Sequence, residues 1–223
     1  MELQYQLIKS NRKTVVMSVE RDKTVIVRAP ENITQKEINE FIQKKKYWLY
    51  AKLNHPQKYR KTCKTEFISG ASVLYLGKYY KLDVKKEKFD GILFSNRFII
   101  SKKNQKNANK LFKEWYIQKA QEKIIPKTRV YAKNLGVQFK SVQISEFKYR
   151  WGSCTPKNNI KFNWRLIKAP PHVIDYIIIH ELGHLIEPNH TPRFWNIIKT
   201  QVPKFLEAKE WLKNNGYILE VDF

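Results

Sequence analysis

Two histidines four residues apart, His180 and His184, stand inside an apolar run from Tyr176 to Ile186, with Glu181 beside the first. Ile177, Ile178, Ile179, Leu182 and Leu185 surround them, which predicts a helix buried on most of its faces. Burying two imidazoles and a carboxylate there is costly unless they are paired or bound to a metal. Helical residues advance by about 100° each, so positions four apart lie only about 40° from one another. Both imidazoles can then reach one point beside the helix, as a tetrahedral metal requires. Glu181 is offset by about 100° and can stand next to an attacking water instead of ligating the metal. This is the His-Glu-x-x-His arrangement of zinc hydrolases, with the glutamate as general base.

A third ligand has to come from outside the helix. Glu187, Pro188 and Asn189 break it, and His190 is the next imidazole. The spacing from His184 to His190 matches the third histidine of the metzincin pattern, although Glu187 stands where that pattern has glycine and no Met-turn is identifiable. Glu207 and Glu210, on the last predicted helix, are the carboxylate alternative. Three protein ligands leave one position for water, as catalysis needs. Two blander readings compete: hydrogen-bonded core histidines, or a structural zinc. The latter would leave Glu181 idle and more often uses cysteine.

Upstream, residues 3–8, 13–19 and 23–28 read as strands. A helix is expected over 34–53, opened by a capping box of Thr34 and Glu37. Strand pairs follow around Gly77 and around Ser95-Asn96. A long helix is expected from about Asn107 to Leu135, kinked or divided by Pro126 and ended by Gly136. Residues 137–146, 148–153 and 160–166 read as further strands, and residues 148–153 or 158–164 could be a sheet edge for an extended peptide. The helix carrying His180 should run from about His172 to Glu187, a new one should start at Thr191-Pro192, and the last should stop at Gly216. The expected organisation is α+β, with a β-rich accessory domain over 1–103 and a catalytic domain over 104–223.

The chain carries a net charge of +23. The excess sits before the histidine cluster: residues 101–150 hold thirteen Lys or Arg against three Asp or Glu, while residues 151–223 hold nine against seven. Such a surface could dock nucleic acid or another polyanion, or be a solvated lysine-rich face. No stretch is long and apolar enough to predict a membrane span. Two distant cysteines and no secretory leader at the start predict a cytoplasmic, reducing setting.

A wider set of residues carries a resemblance. Tyr149-Arg150-Trp151-Gly152-Ser153-Cys154, Asn163-Trp164-Arg165-Leu166, Ile174-Asp175-Tyr176, His180-Glu181-Leu182-Gly183-His184 and Asn189-His190 with Phe194-Trp195 together resemble the YgjP-like metallopeptidases, relatives of the SprT-like and minigluzincin zinc proteins. The resemblance implies a zincin-type domain with a small sheet packed on the active-site helix, zinc on His180, His184 and His190, and a peptide or protein substrate. Tyr149, Arg150 and Trp151 are the candidate substrate-binding residues, Trp151 having a core reading as well. His172 joins Tyr149 and Arg150 as a candidate oxyanion stabiliser, and Asp175 could orient a ligand. Two alternatives stay open. One is a zinc hydrolase of nucleotides or phosphate esters; the other is a nucleic-acid-associated protein with targeted protease activity.

Overall fold

The computed structural model describes residues 4–20, 23–54, 66–147 and 150–220. The chain forms two compact units, residues 1–61 and 62–223.

The first unit holds three strands and two helices. Strands β1 (Gln6–Ser10), β2 (Val16–Val19) and β3 (Val25–Pro30) form a sheet ordered β1-β3-β2, with β1 parallel and β2 antiparallel to β3. Alternation in β2 and β3 points Met17, Val19, Val25 and Val27 into a small core with Ile38 and Leu49. Helix α1 (Gln35–Lys44) opens with the expected capping box: Thr34 accepts from the Glu37 N–H, and the Glu37 carboxylate accepts from the Thr34 N–H. The single helix expected to Leu53 is interrupted at Lys45. Its N–H reaches both the Phe41 and Ile42 carbonyls, a tightened turn of 3₁₀ kind, and helix α2 (Lys46–Leu53) starts after it.

The second unit begins with a hairpin of β4 (Ser72–Tyr75) and β5 (Lys78–Lys85). Its two turn residues, Leu76 and Gly77, both take positive φ (49° and 78°), the conformation a two-residue turn favours. Strands β6 (Ile92–Phe94) and β7 (Phe98–Ser101) complete a sheet ordered β4-β5-β7-β6. A 3₁₀ turn, Lys102–Asn107, leads into helix α3 (Ala108–Leu135), which runs unbroken past Pro126 and is capped by Gly136 at φ 67°. A second sheet follows, from β8 (Ser141–Ser145), β9 (Gly152–Cys154) and β10 (Asn159–Asn163). Its central strand is β10, parallel to β8 and antiparallel to β9. After a 3₁₀ turn at Trp164–Lys168 come helices α4 (Pro171–Gly183), α5 (Pro192–Gln201) and α6 (Phe205–Leu219). Among the described residues no helix is long and apolar enough to cross a membrane.

The boundary expected near residue 103 falls inside this second unit. Leu82 of β5 and Phe98 and Ile100 of β7 share one core with Phe112 and Tyr116 of α3, Phe162 of β10 and Ile178 of α4. The hairpin tip also hydrogen-bonds the turn before α4, Leu76 N–H to the Ile167 carbonyl and Gly77 N–H to the Lys168 carbonyl. A Cβ at Gly77 would lie 2.7 Å from Pro170 Cγ, so glycine is required there by contact as well as by φ. Two helix ends also differ from expectation. Helix α4 stops at Gly183, and α6 continues through Gly216 because that glycine lies under the Trp151 ring instead of ending the helix. At the far end of α6, Lys168 is 2% exposed. Its ammonium donates to the Leu219 carbonyl at 3.3 Å and sits 5.2 Å from the ring centres of both Tyr116 and Trp164.

Candidate metal centre

Helix α4 is held rigidly because its apolar faces are consumed: Val173, Ile174, Ile177, Ile178, Ile179 and Leu182 are all buried. One exit from that packing is left, and His180 and His184 take it, their ring centres 5.0 Å apart. The helix ends at Gly183, and residues 184–190 turn back over it. A Cβ at Gly183 would meet Ile198 Cδ1 at 3.0 Å and Phe194 Cε2 at 3.1 Å, so glycine lets α5 lie close against α4. Helix α5 starts as its sequence predicts, with Thr191 Oγ1 accepting the Phe194 N–H and Pro192 in the first turn. That start delivers His190. Phe194 then packs 4.7–5.0 Å from all three imidazoles, centre to centre, and Trp195 stacks on His190 at 5.6 Å.

One ring nitrogen from each histidine lies within 4.8 Å of the other two, and His180 Nε2 and His190 Nε2 are 3.1 Å apart. Metal–nitrogen bonds of about 2.0–2.1 Å in a tetrahedron put ligand nitrogens about 3.3 Å apart, so the donor set fits a small divalent ion. His184 Nδ1 lies 3.3 Å from the Glu187 carbonyl, which places a proton on Nδ1 and leaves Nε2 as the nitrogen that could take a metal. Burial first, then His184, His190 and Lys209, pushes His180 down to about 3. Burial lowers His184 too, so both favour the neutral, ligating form. Neither Glu207 nor Glu210 joins the cluster. Glu207 pairs with Lys204 at 3.6 Å, and both glutamates are exposed on α6.

Glu181 is 6% exposed. It points at β9, where the Cys154 N–H donates to its carboxylate. Gly152 is what makes that approach possible: a Cβ there would stand 2.6 Å from Glu181 Cγ and Oε1. Burial pushes the carboxyl up to about 7, against the Cys154 N–H and the Arg150 charge, which pull it down. The role of Gly152 is not readable from the sequence, which shows only a glycine between strand-forming residues. The role of Asn163, a residue of the motif that carries the resemblance, is also not readable there. It is buried at the end of β10 and donates to the Phe147 and Arg150 carbonyls at 2.9 and 3.1 Å, fixing the chain that leads into β9. The available signal was a polar residue between Phe162 and Trp164, both buried.

The other expected residues divide. Arg150 is exposed, donates to Ser153 Oγ at 3.3 Å and lies over the Phe147 ring. Trp151 is half-buried with its ring against Gly216 of α6, the packing position. Tyr149 lies outside the described residues. His172 is exposed at the start of α4. Asp175 does not orient a histidine: it pairs with Lys127 of α3 at 2.5 Å and bonds Tyr131, because its position on α4 faces α3. Of the two expected sheet edges, residues 158–164 prove interior, since β10 is the central strand, while β9 is an edge.

No curated protein sequence matches the chain. Among solved structures, the crystal structure of the metallopeptidase zymogen of Pyrococcus abyssi abylysin is similar at 20% identity and a TM-score of 0.35, over 40% of this chain and 93% of that one. The family model described as YgjP-like, metallopeptidase domain, matches residues 13–215. A match over that length takes in both units and the whole histidine cluster, and the chain belongs to the YgjP-like metallopeptidase family.

Proposed function

We propose that this metallopeptidase is a zinc enzyme in which His180, His184 and His190 hold the ion and Glu181 is the general base. One observation carries the reading: three imidazole nitrogens converge beside the helix residue whose buried carboxylate is held by β9. Three nitrogen donors and, among the described residues, no further ligand in the cluster suit catalytic zinc, which keeps one position for substrate or water. When bound, zinc supplies a Lewis acid that polarises the scissile carbonyl and acidifies the attacking water. Glu181 takes the proton from that water and passes it to the leaving amine. Its carboxyl, raised towards neutrality by burial, is matched to both transfers. The Cys154 N–H holds the carboxylate in place between them. An extended peptide pairs with the outer edge of β9, where no described strand pairs, and exposed Arg150 meets the substrate next to it.

Elemental analysis of the purified protein, with His184→Ala, His190→Ala and Glu207→Gln beside it, tests the ligand set. Near one zinc per chain is expected, lost in both histidine variants and kept in Glu207→Gln. Glu181→Gln should retain the metal and lose peptide hydrolysis. Full activity in that variant would end the proposed mechanism, and wild-type protein that takes up no zinc would end the metal assignment.

A further inference from the structure

The first unit has a feature that peptide hydrolysis does not use. Residues 41–54 contain four Lys and no Asp or Glu. Within that stretch α2 exposes three aromatic rings: Tyr47 is 90% exposed, Tyr50 71% and Trp48 38%. Lys44, Lys45, Lys46 and Lys52 are exposed around them, with the Lys52 ammonium 5.9 Å from the Trp48 ring centre. Tyr47 and Tyr50 are three residues apart and therefore neighbours on the helix surface. Beside them runs a groove of about 780 Å³, of the size that binds small ligands. Tyr50 and Lys46 line it together with Gln35, Asn39 and Gln43, three amides spaced one turn apart along α1. Among the described residues no carboxylate lines it. By helical periodicity Glu40 falls about 100° away from Asn39, and Glu37 is engaged in the cap.

We infer that this face of the first unit, the α2 rings and lysines with the adjoining groove, binds single-stranded nucleic acid. Stacking on exposed rings requires bases with open faces, which single strands offer and duplexes do not. Lysines without intervening carboxylates supply the contacts to the phosphates. Gln35 Nε2 donates to the Tyr5 hydroxyl at 2.7 Å and to Asn39 Oδ1 at 3.0 Å, so base edges would pair with the remaining amide groups, Gln35 Oε1, Asn39 Nδ2 and the Gln43 amide. A lipid surface is the poorer partner. Of the leucines that could insert, Leu49 is buried in the unit's own core and Leu53 packs against it, and what α2 presents outward is mainly tyrosine hydroxyls, an indole and ammonium groups.

The experiment is fluorescence anisotropy of the full-length protein with a labelled mixed-sequence single strand, the same sequence as a duplex, and vesicles of phosphatidylserine and phosphatidylcholine. The single strand should bind at least about 10-fold tighter than the duplex. Its affinity should fall with salt at a log–log slope of about −0.7 per phosphate contacted. Tyr47→Ala combined with Tyr50→Ala should weaken binding by about 10-fold or more while leaving that slope. Lys45→Glu combined with Lys46→Glu should flatten it. Both tyrosines are exposed, so an unchanged melting temperature is expected, and Tyr47→Phe with Tyr50→Phe should keep the affinity because the rings remain. Absence of single-strand binding, equal affinity for the duplex, an alanine pair that binds as wild type, or vesicle binding that the alanine pair abolishes while oligonucleotides are ignored would each overturn the assignment.

Discussion

Replacing Gly152 with alanine probes the coupling between β9 and Glu181 directly. The added methyl would lie 2.6 Å from Glu181 Cγ and Oε1 and 2.8 Å from Cδ, whereas ordinary contact begins at 3.4 Å. The carboxyl must therefore retreat by about 0.8 Å, the shortfall between those distances. Gly152 has no positive φ, so the backbone of β9 is not strained by the change and the effect is steric. The yielding group is a side chain, which puts the stability loss toward the lower end of the overpacking range, about 1 kcal/mol. A carboxylate displaced by nearly 1 Å from its working position costs far more in rate, on the order of 100-fold. The expected result is a small drop in melting temperature, unchanged metal content and a roughly 100-fold loss of kcat on a fluorogenic peptide mixture. Activity within twofold of wild type would refute the reasoning: either Glu181 is not the base, or β9 does not hold it. Loss of the metal would place the role of Gly152 in building the cluster instead.

Gly216 makes the opposite test. A Cβ there meets Trp151 Cζ2 at 3.5 Å, ordinary contact, inside a helix where glycine is unfavourable, so Gly216→Ala should stabilise by about 0.5–1 kcal/mol and raise the melting temperature. A lower one would mean the ring has no room to give. Asp175→Asn should cost about 1 kcal/mol through its links to Lys127 and Tyr131 yet leave metal content and turnover intact; metal loss would put Asp175 back behind a histidine. Alkaline stability should fall through the buried phenols. Burial, then Glu122 and Tyr80, raises Tyr75 to about 12, and burial raises fully enclosed Tyr116 well above its ordinary value. An unfolded phenol ionises near 10, so the contribution of Tyr75 is complete below about pH 10 and disappears as pH rises towards 12, at about 1.4 kcal/mol per unit. Urea midpoints that stay flat from pH 9.5 to 11.5 would contradict this.

The histidine cluster was legible because its logic is local. A four-residue spacing, a helix stop and a proline-started helix determine where His180, His184 and His190 can go, and all three signals lie within 13 residues of chain. Strand and helix identities followed from periodicity in the same way. What escaped depends on contacts between distant segments. Phe67 and Phe112 stack at 4.7 Å across the expected boundary at residue 103, and no local pattern announces such a pair. Gly216 reads locally as a helix stop, but it packs against the Trp151 ring, 65 residues back in the chain. Gly152 likewise has meaning only once Glu181 is opposite it. Arg150 and Trp151, adjacent in sequence, went to different surroundings for the same reason.

The enclosed ammonium of Lys168 gives the molecule an internal reporter. Among the described residues it is the lysine that is buried, sealed by two aromatic rings and by the carbonyl that ends α6. Amine-reactive reagents will modify the exposed lysines promptly but can reach Lys168 only when the end of α6 lifts away. Its labelling rate, followed by peptide mass spectrometry, would therefore measure the opening of the C-terminal helix in native protein, against a background of lysines that react whether it opens or not.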